Sequence, residues 1–520
     1  MCRAWEPVLY KVISVGPGVI TGVIKKKKRG GVVGIRVGKI IAPAAVCTCS
    51  FPQQELSSDL VQCTHRAQHC YHGGIHHTTD MSLSKMNRQQ LFTLIAMASI
   101  NFSSMICYSI LGPFFPPEAE RKGVSQAIIG LIFGCYAFFT LVGSLILGKY
   151  IVQIGAKCMI IAGLLLSGLS TIVFGFLDRA PDGTIFIVLC FVIRSVNAVG
   201  FAGAVTSSFA VSAKVFPDSI ATILGFIEIF TGLGLILGPP LGGWMYQAFG
   251  YEIPFIALGS VLFLTVPLTM WILPNFDAVA SQGSFFKLCS RVKMLLICFV
   301  VFTLSSGIGF LDATLSIFAM EAFGLSAESV GLLMVAVSLP YGAASPILGI
   351  LSDKYPFIRR WMMAIGGLAT AVGFCLLGPV PVFHIERELW LTVVMLVVIG
   401  FSLCMTCIPT FTEMLICSHE SGFEDSLSTL GLVSGLFSAV WSAGMFFGPT
   451  IGGFITQKLH FEWGAGFQGG ITFIAAFLLI LFLTKEEIHK TRFQKLDGAE
   501  CTLYTGEKSP LLCSSLETSV

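Results

Sequence analysis

Four ionisable side chains lie within long apolar stretches of the sequence, namely Arg194, Glu228, Asp312 and Glu413. A charge at the centre of a bilayer costs roughly 2.5–3.5 kcal/mol on insertion scales, so such residues are functional candidates by default. Asp312 has no intramembrane cation nearby in sequence. A lone carboxylate in an apolar setting can take up a proton from an acidic compartment and release it when an amine cation competes. Asp312 is therefore a candidate substrate- and proton-binding residue; the alternative is a residue at a wet helix mouth.

Arg194 and Glu228 lie on successive apolar stretches, about 15 and 12 Å from the same membrane face at ~1.5 Å per residue. Their similar depth predicts a pair. In the functional interpretation, Glu228 binds a proton or an amine under the control of Arg194; in the alternative, the two form a structural salt bridge between helices. Asn197 lies one turn from Arg194 on the same helix face. We expect Asn197 to hydrogen-bond a neighbouring helix rather than to touch a substrate.

Glu413 follows Pro409 near the inner end of its apolar stretch, where a helix can unwind. Two interpretations are open for this carboxylate. It lines the cytoplasmic mouth of a pathway, or it is simply solvated at the membrane interface.

The elements that position these residues are about twelve apolar runs of about 20 residues, each long enough to cross a ~30 Å hydrocarbon layer. Of the 520 residues, 54% are hydrophobic and 12% are charged, and the mean hydropathy is +0.83. This composition excludes an ordinary soluble protein, in which roughly a quarter of positions are charged. The net charge of +3 and the dispersed basic residues also exclude a nucleic-acid-binding protein. The sequence predicts an all-α membrane protein.

A glycine- and proline-containing motif occurs twice, at an offset of 210 residues (448 minus 238). Glycines four apart share one helix face and allow helix backbones to approach closely in lipid, where neighbouring helices also accommodate proline bends. The motif predicts two pseudo-symmetric six-helix halves packed through equivalent bent helices. Its residues are Gly234, Gly238, Pro239, Gly242 and Gly243 in the first copy and Gly444, Gly448, Pro449, Gly452 and Gly453 in the second.

The loop charges predict the orientation of the spans. With the N-terminus in the cytoplasm, nine Lys and Arg residues lie in cytoplasmic loops and five in the loops on the other side. Because the number of spans is even, both termini are expected in the cytosol. We divide the chain into a disordered N-terminal extension (1–85), a first six-helix half (86–273), a cytoplasmic linker (274–293), a second half (294–484) and a cytoplasmic tail (485–520).

A second repeat follows the second span of each half. In the second half it contains Asp353, Arg359 and Arg360, and an Asp at a helix end beside basic residues can cap and cross-link neighbouring helices. The corresponding position in the first half is Val152. The charged latch is therefore predicted only in the second half, as a structural group.

These two repeats resemble the major facilitator superfamily, and the likeness covers residues 86–484. The stretch from Gly349 to Arg360 looks like its loop motif, and that from Gly234 to Gly243 looks like its antiporter motif. Stretches such as Tyr108–Pro116 and Leu427–Phe437 are similar to the vesicular polyamine transporters of solute carrier family 18. The resemblance implies proton-coupled antiport of cationic amines, most of all the polyamines spermidine and spermine, into acidic vesicles.

Three aromatic residues lie near where the cavity-lining helices of such a fold would face, and they are candidate amine contacts: Tyr108, Phe310 and Trp441. An aromatic face stabilises a cation by about 0.5–2 kcal/mol. The alternative is packing against lipid or helices, which most aromatic residues of this chain must do. Other cargoes, such as other organic cations, drugs or neutral solutes, remain open, as does a non-transporting receptor-like member of the fold.

The sequence predicts no enzyme, no catalytic residue and no cofactor, because no phosphate loop or nucleophile constellation lies outside the apolar runs. Cysteines and histidines between Cys47 and His77 lack regular ligand spacing, so no metal site is predicted. In the tail, Glu507, Leu511 and Leu512 form an acidic dileucine-like sorting signal for adaptor proteins. We expect a monomer in a synaptic, endosomal, lysosomal or secretory vesicle membrane, with a small cation, protons and lipid as its partners.

Overall fold

The computed structural model describes residues 25–29, 32–36, 48–51, 86–111, 115–274, 285–325, 327–379, 381 and 384–504. The chain divides into two compact units, residues 1–80 and 81–520. Each is described by itself.

The first unit contains three short strands that composition did not lead us to expect. They are β1 (Lys25–Arg29), β2 (Val32–Arg36) and β3 (Thr48–Phe51), and they form an antiparallel sheet in the order β1-β2-β3. The cysteine and histidine cluster lies outside the described residues, apart from Cys49 in β3. The predicted disorder of the extension as a whole stays a prediction.

The second unit is helical, and twelve of its helical segments, 21–33 residues long, are apolar enough to cross a bilayer. The prediction of twelve spanning helices is confirmed. The helices are α1 (Arg88–Ser109), α2 (Phe115–Arg121), α3 (Gln126–Ile154), α4 (Ala156–Gly175), α5 (Thr184–Val215), α6 (Ile220–Phe249), α7 (Glu252–Ile272), α8 (Phe285–Cys289), α9 (Val292–Phe323), α10 (Ala327–Lys354), α11 (Pro356–Leu377), α12 (Leu389–Glu420), α13 (Leu427–Phe447), α14 (Gly453–Leu459) and α15 (Phe461–Tyr504). A 3₁₀ turn, Phe176–Arg179, follows α4, and a π-helical turn, Gly448–Gly452, joins α13 to α14.

The repeated glycines hold equivalent helix pairs together. A Cβ atom on Gly234 would lie 2.7 Å from the Phe102 carbonyl oxygen of α1, and one on Gly238 would overlap the Ser109 hydroxyl. In the second half, Gly444 and Gly448 make the same close approach to α9. Each copy of the motif therefore packs its helix against the first helix of the same half, α6 against α1 and α13 against α9, as the spacing predicted.

Not every glycine of the motif takes part. Gly242 is buried in α6, and a Cβ atom on Gly452 would overlap the Phe310 ring, but Gly243 and Gly453 face open space. The assignment of Gly243 and Gly453 to helix packing is therefore wrong. Helix contacts follow a four-residue period, and these two glycines lie one position off that face.

The two proline positions of the motif differ in backbone geometry. Pro239 lies within α6, which continues as an α-helix to Phe249. Pro449 lies in the π-helical turn, where one extra residue per turn bypasses the amide hydrogen bond that proline lacks. The two halves are thus related but not identical at their equivalent helices.

The connecting segments differ in part from expectation. Within the predicted linker, residues 275–284 lie outside the described set, and the short helix α8 follows them. Helix α15 continues past residue 484 to Tyr504, so the predicted tail begins as a helical extension. The sorting signal at Glu507, Leu511 and Leu512 lies outside the described residues.

Candidate functional site

Asp312 lies in the C-terminal half of α9 with its side chain exposed, while its neighbours Leu311 and Thr314 are buried. Its carboxylate acts electrostatically on the hydroxyl of Tyr108, which belongs to α1 in the other half. An accessible side chain that is coupled to the facing half lies in the space between the halves rather than against lipid. No ion pair of Asp312 occurs within the described parts of the chain.

The Tyr108 ring on which this carboxylate acts belongs to an aromatic wall in the first half, formed with Tyr136 and Phe201. The ring centroid of Tyr108 lies 5.3 Å from that of Tyr136 and 6.4 Å from that of Phe201, and Tyr136 and Phe201 are 5.7 Å apart. Such clustered rings present negatively charged faces to a cation. Tyr108 is half-buried, so part of its ring remains accessible. Sequence reasoning named Tyr108 but missed Tyr136 and Phe201, since nothing in their local sequence separates them from other aromatic residues.

Arg194 and Glu228 do not form the predicted pair. The Arg194 guanidinium lies over the Tyr136 ring at 4.2 Å from its centroid and 6.0 Å from that of Phe133. Glu228, half-buried on α6, instead accepts a hydrogen bond of 3.3 Å from the Tyr341 hydroxyl of α10. The prediction used depth alone, and depth does not fix the direction in which a helix turns a side chain. Glu228 therefore joins the two halves.

Asn197 makes the interhelical contacts that were predicted for it. Its side-chain amide donates to the Ser167 carbonyl at 3.2 Å and to the Thr171 hydroxyl at 3.0 Å, both on α4. Asn197 thus cross-links α5 to α4 and lies away from the space between the halves.

Glu413 is the centre of an ion network and is 3% exposed. Its carboxylate oxygens lie 3.7 Å from nitrogens of both Arg359 and Arg360 and 4.0 Å from the Lys293 ammonium. Neither predicted role, lining an open mouth or interfacial solvation, fits this burial. Sequence reasoning could not find the network, because its cations come from α9 and α11, 120 and about 54 residues away in sequence.

Asp353 forms the predicted latch and gives it a defined partner. Its carboxylate accepts hydrogen bonds from the backbone N–H groups of Ala221 (3.3 Å) and Thr222 (2.7 Å), so it caps the N-terminus of α6 in the other half. Arg359 supports this corner by donating to the Ser352 carbonyl at 3.1 Å.

The first half closes the corresponding corner without a carboxylate. There Val152 replaces the acidic residue, and Ser426 caps α13 within its own chain segment by accepting from the Thr429 N–H at 3.3 Å. Glycines Gly148 and Gly431 bring the α3 and α13 backbones into contact. The charged latch is thus confined to the second half, as predicted.

Aromatic side chains close the space between the halves near the same end. Phe209 of α5 contacts Phe411 of α12 and Phe437 of α13, each with 5.6 Å between ring centroids. Trp441, half-buried, stacks on Phe437 at 6.1 Å one turn further along α13. Trp441 therefore borders the closure on the side toward the middle of the membrane.

Phe310 lies elsewhere than predicted for an amine contact. It is fully buried, stacks on Phe461 at 5.5 Å and fills the space left by Gly452 and Gly464. This placement assigns Phe310 to helix packing, which was the alternative for all three aromatic candidates.

The family model described as Major Facilitator Superfamily matches residues 97–285 and 295–513. The chain belongs to the major facilitator superfamily. Its members' two-half architecture accounts for the offset glycine motifs and for the latch between α10 and α6.

Relatives within the superfamily are similar over most of the chain. The human protein named MFS-type transporter SLC18B1 is 54% identical over 407 residues, which cover 78% of this chain and 89% of the relative. The mouse protein of the same name is 52% identical, with coverage of 80% and 91%. The mouse vesicular acetylcholine transporter is 24% identical, with coverage of 68% and 64%. The resemblance to solute carrier family 18 is confirmed.

A solved structure supports the fold independently. The human organic anion transporter MFSD10 superposes with a TM-score of 0.60 at 15% sequence identity, covering 75% of this chain and 99% of that one. At this identity the likeness bears on the fold alone. Together, the family and the twelve spans identify a multi-pass secondary transporter of the major facilitator superfamily.

Proposed function

We propose that this transporter carries cationic amines, with the polyamines spermidine and spermine favoured, into acidic vesicles in exchange for protons. The observation that carries the proposal is the accessible carboxylate of Asp312 in the C-terminal half of α9, which forms no ion pair with any described residue and acts electrostatically on Tyr108 of the other half. A carboxylate in this setting attracts a cation or a proton but not both.

The surroundings of Asp312 favour an amine over an anionic or sugar-like cargo. An ammonium group bound there can lie against the half-buried Tyr108 ring, which packs on Tyr136 and Phe201, and a cation–π contact contributes about 0.5–2 kcal/mol. An anionic substrate would need an accessible cation, whereas Arg194, behind the Tyr136 ring, is 2% exposed. The names of the relatives, which include a vesicular acetylcholine transporter and a chromaffin granule amine transporter, support the same substrate class.

A second carboxylate suits a multivalent cation. Glu228 lies nearer the end that the loop charges place in the cytoplasm, where it accepts from Tyr341 of the other half. A polyamine carries several ammonium groups along a flexible chain, so different groups can engage Asp312 and Glu228 in turn as the halves rock. This feature favours polyamines over a monovalent amine.

Proton exchange follows from competition at Asp312. From the cytoplasm, at neutral pH, the deprotonated carboxylate binds the amine. In an acidic lumen the proton displaces it. A gradient of two pH units supplies about 2.7 kcal/mol per proton, and each net charge moved adds about 2.3 kcal/mol per 100 mV. Closure near Asp353 and the Phe209 cluster, with Asp312 accessible, suits the state that exchanges ligands with the lumen.

The experiment is uptake of labelled spermidine into proteoliposomes containing the purified protein, with the interior acid. We expect uptake that requires the gradient, competes with spermine and disappears in Asp312→Asn, with Asp182→Asn as the matched control. The Asp182 carboxylate, on a loop, is 73% exposed and pairs with Lys122 at 3.2 Å. Absence of uptake from folded wild-type protein under any gradient would refute the polyamine proposal, and drugs, other organic cations and neutral solutes would then be screened.

Localisation belongs to the same proposal. A vesicle membrane, with both termini in the cytosol, provides the acidic lumen that the exchange requires. Proteolysis of sealed vesicles checks it: a tag at either terminus should be cleaved from outside, and protection of either tag contradicts the orientation.

A further inference from the structure

Arg194 carries a buried positive charge with hydrogen-bonding capacity left over. Its side chain is 2% exposed, and its Nε and Nη2 atoms have no hydrogen-bond partner among the residues that the structure describes. Within the described parts of the chain, no carboxylate lies within 4.0 Å of the guanidinium. Its contacts with the Tyr136 and Phe133 rings are cation–π contacts, which leave the N–H groups in the guanidinium plane free.

A small cavity inside the first half adjoins this guanidinium. It is lined by residues of α1, α4, α5 and α7, among them Cys107, Thr171, Phe174, Arg194 and Asn197. The volume of this cavity is about 10 Å³. This is room for one water molecule or one monatomic ion. The cavity is separate from the space that Asp312 faces, because it lies among helices of a single half.

The other polar groups around the cavity are already engaged with protein. The Asn197 amide donates to Ser167 and Thr171, the Thr171 hydroxyl donates to the Ser167 carbonyl at 2.8 Å, and the Cys107 thiol donates to the Leu258 carbonyl at 3.4 Å. The Asn197 Oδ1 oxygen accepts from the Ser167 hydroxyl at 3.5 Å, so the lining atoms left without any partner among the described residues are the guanidinium donors. A water molecule needs two to four polar partners, including acceptors for its own hydrogens, whereas a bare anion needs donors and a positive charge.

We infer that this cavity binds a monatomic anion of chloride size, held by the Nε and Nη2 groups of Arg194. The charge argument agrees with the hydrogen-bond argument, because a buried ion without a counter-charge is strongly disfavoured and ring contacts offset only part of that cost. The inference of an anion site does not rest on the proposed polyamine exchange, and its test below does not use transport.

The bound anion has a consequence for the central space. Arg194 lies behind Tyr136, whose ring adjoins Tyr108, and Tyr108 is within electrostatic range of Asp312. Neutralising Arg194 removes a positive potential behind the aromatic wall. We expect an amine in the central space to bind about five- to tenfold more tightly with the anion present, at the lower end of the coupling typical between two sites.

The experiment measures anion binding without using transport. The thermal midpoint of the purified protein is followed while chloride or bromide replaces gluconate at constant ionic strength. For wild type we expect a rise of roughly 2–5 °C that saturates with halide concentration, as ligand binding to the native state requires. Arg194→Gln should lose the halide-specific rise. Arg121→Gln, which changes an arginine that is 73% exposed, should keep it.

Two results overturn the inference. One is a wild-type midpoint that does not distinguish halide from gluconate, which leaves water as the occupant. The other is a halide effect of full size in Arg194→Gln, which places the anion elsewhere. If Arg194→Gln fails to fold, Arg194→Lys is tested instead. Lysine keeps the positive charge but lacks the Nε and Nη2 donors, so the halide concentration that gives half of the stabilisation should be about tenfold higher than in wild type. For that variant, an unchanged halide concentration at half-maximal effect takes the place of the second result.

Discussion

Replacing Glu413 by Gln removes the carboxylate at the centre of the ion network while keeping its shape. At 3.7–4.0 Å, each of its three attractions is worth about 4 kcal/mol at an effective dielectric constant of 20, before desolvation is subtracted. Lys293 keeps Glu420 at 2.9 Å and Arg360 keeps Glu486 at 3.1 Å. Arg359, however, keeps only its hydrogen bond to the Ser352 carbonyl and loses its ion-pair partner, the Glu413 carboxylate.

The expected loss is therefore near the lower end of the 3–5 kcal/mol typical of breaking a buried pair, about 3 kcal/mol. The assay is unfolding in mixed detergent and SDS micelles. Glu420→Gln is the matched control, because that carboxylate is 50% exposed and pairs with the same lysine, so its loss should be under about 1 kcal/mol. The double variant Glu413→Gln/Arg359→Gln should have an unfolding free energy at least about 1 kcal/mol higher than that of Glu413→Gln alone, because it removes the cation left without its carboxylate. A Glu413→Gln protein within ~0.5 kcal/mol of wild type would refute the assignment of a buried network.

Two further predictions concern the helix contacts. Asp353→Ala should lower the unfolding free energy by about 1 kcal/mol, because the Thr222 N–H loses its cap, and an unchanged unfolding curve would contradict the latch. Gly448→Ala should lower the unfolding free energy by about 1–3 kcal/mol, since its Cβ atom would overlap the Ser306 carbonyl oxygen. Gly453→Ala is the control, because its Cβ atom meets open space, and its unfolding free energy should stay within ~0.5 kcal/mol of wild type. Equal unfolding curves for the two variants would argue against the close approach.

The fold was predictable from sequence to a large extent, for physical reasons. A bilayer demands about 20 apolar residues per span, and twelve such runs are visible without knowing how they pack. The four-residue spacing of Gly234 and Gly238 likewise names one helix face. The spacing could not show which glycines of the motif contact the neighbouring helix, so Gly243 and Gly453 were assigned wrongly.

The candidate site was predictable only where one residue sufficed. The sequence singled out Asp312 because its isolation in an apolar run is a local property. The pairing of Arg194 with Glu228 was wrong because partners depend on helix rotation, which turned Arg194 toward Tyr136 and Glu228 toward Tyr341. Networks such as that of Glu413 draw on helices distant in sequence, so they become visible only when the helices are packed.

Competition between protons and amine at Asp312 is the central claim, and equilibrium binding of labelled spermidine to the purified protein tests it most directly. Because the deprotonated carboxylate binds the amine, wild-type affinity should fall as pH is lowered, approaching tenfold per unit once the proton dominates. Asp312→Asn should bind weakly and with little dependence on pH, while Asp182→Asn should match wild type. If Asp312→Asn bound spermidine as tightly as wild type, with the same pH dependence, the coupling site would lie elsewhere.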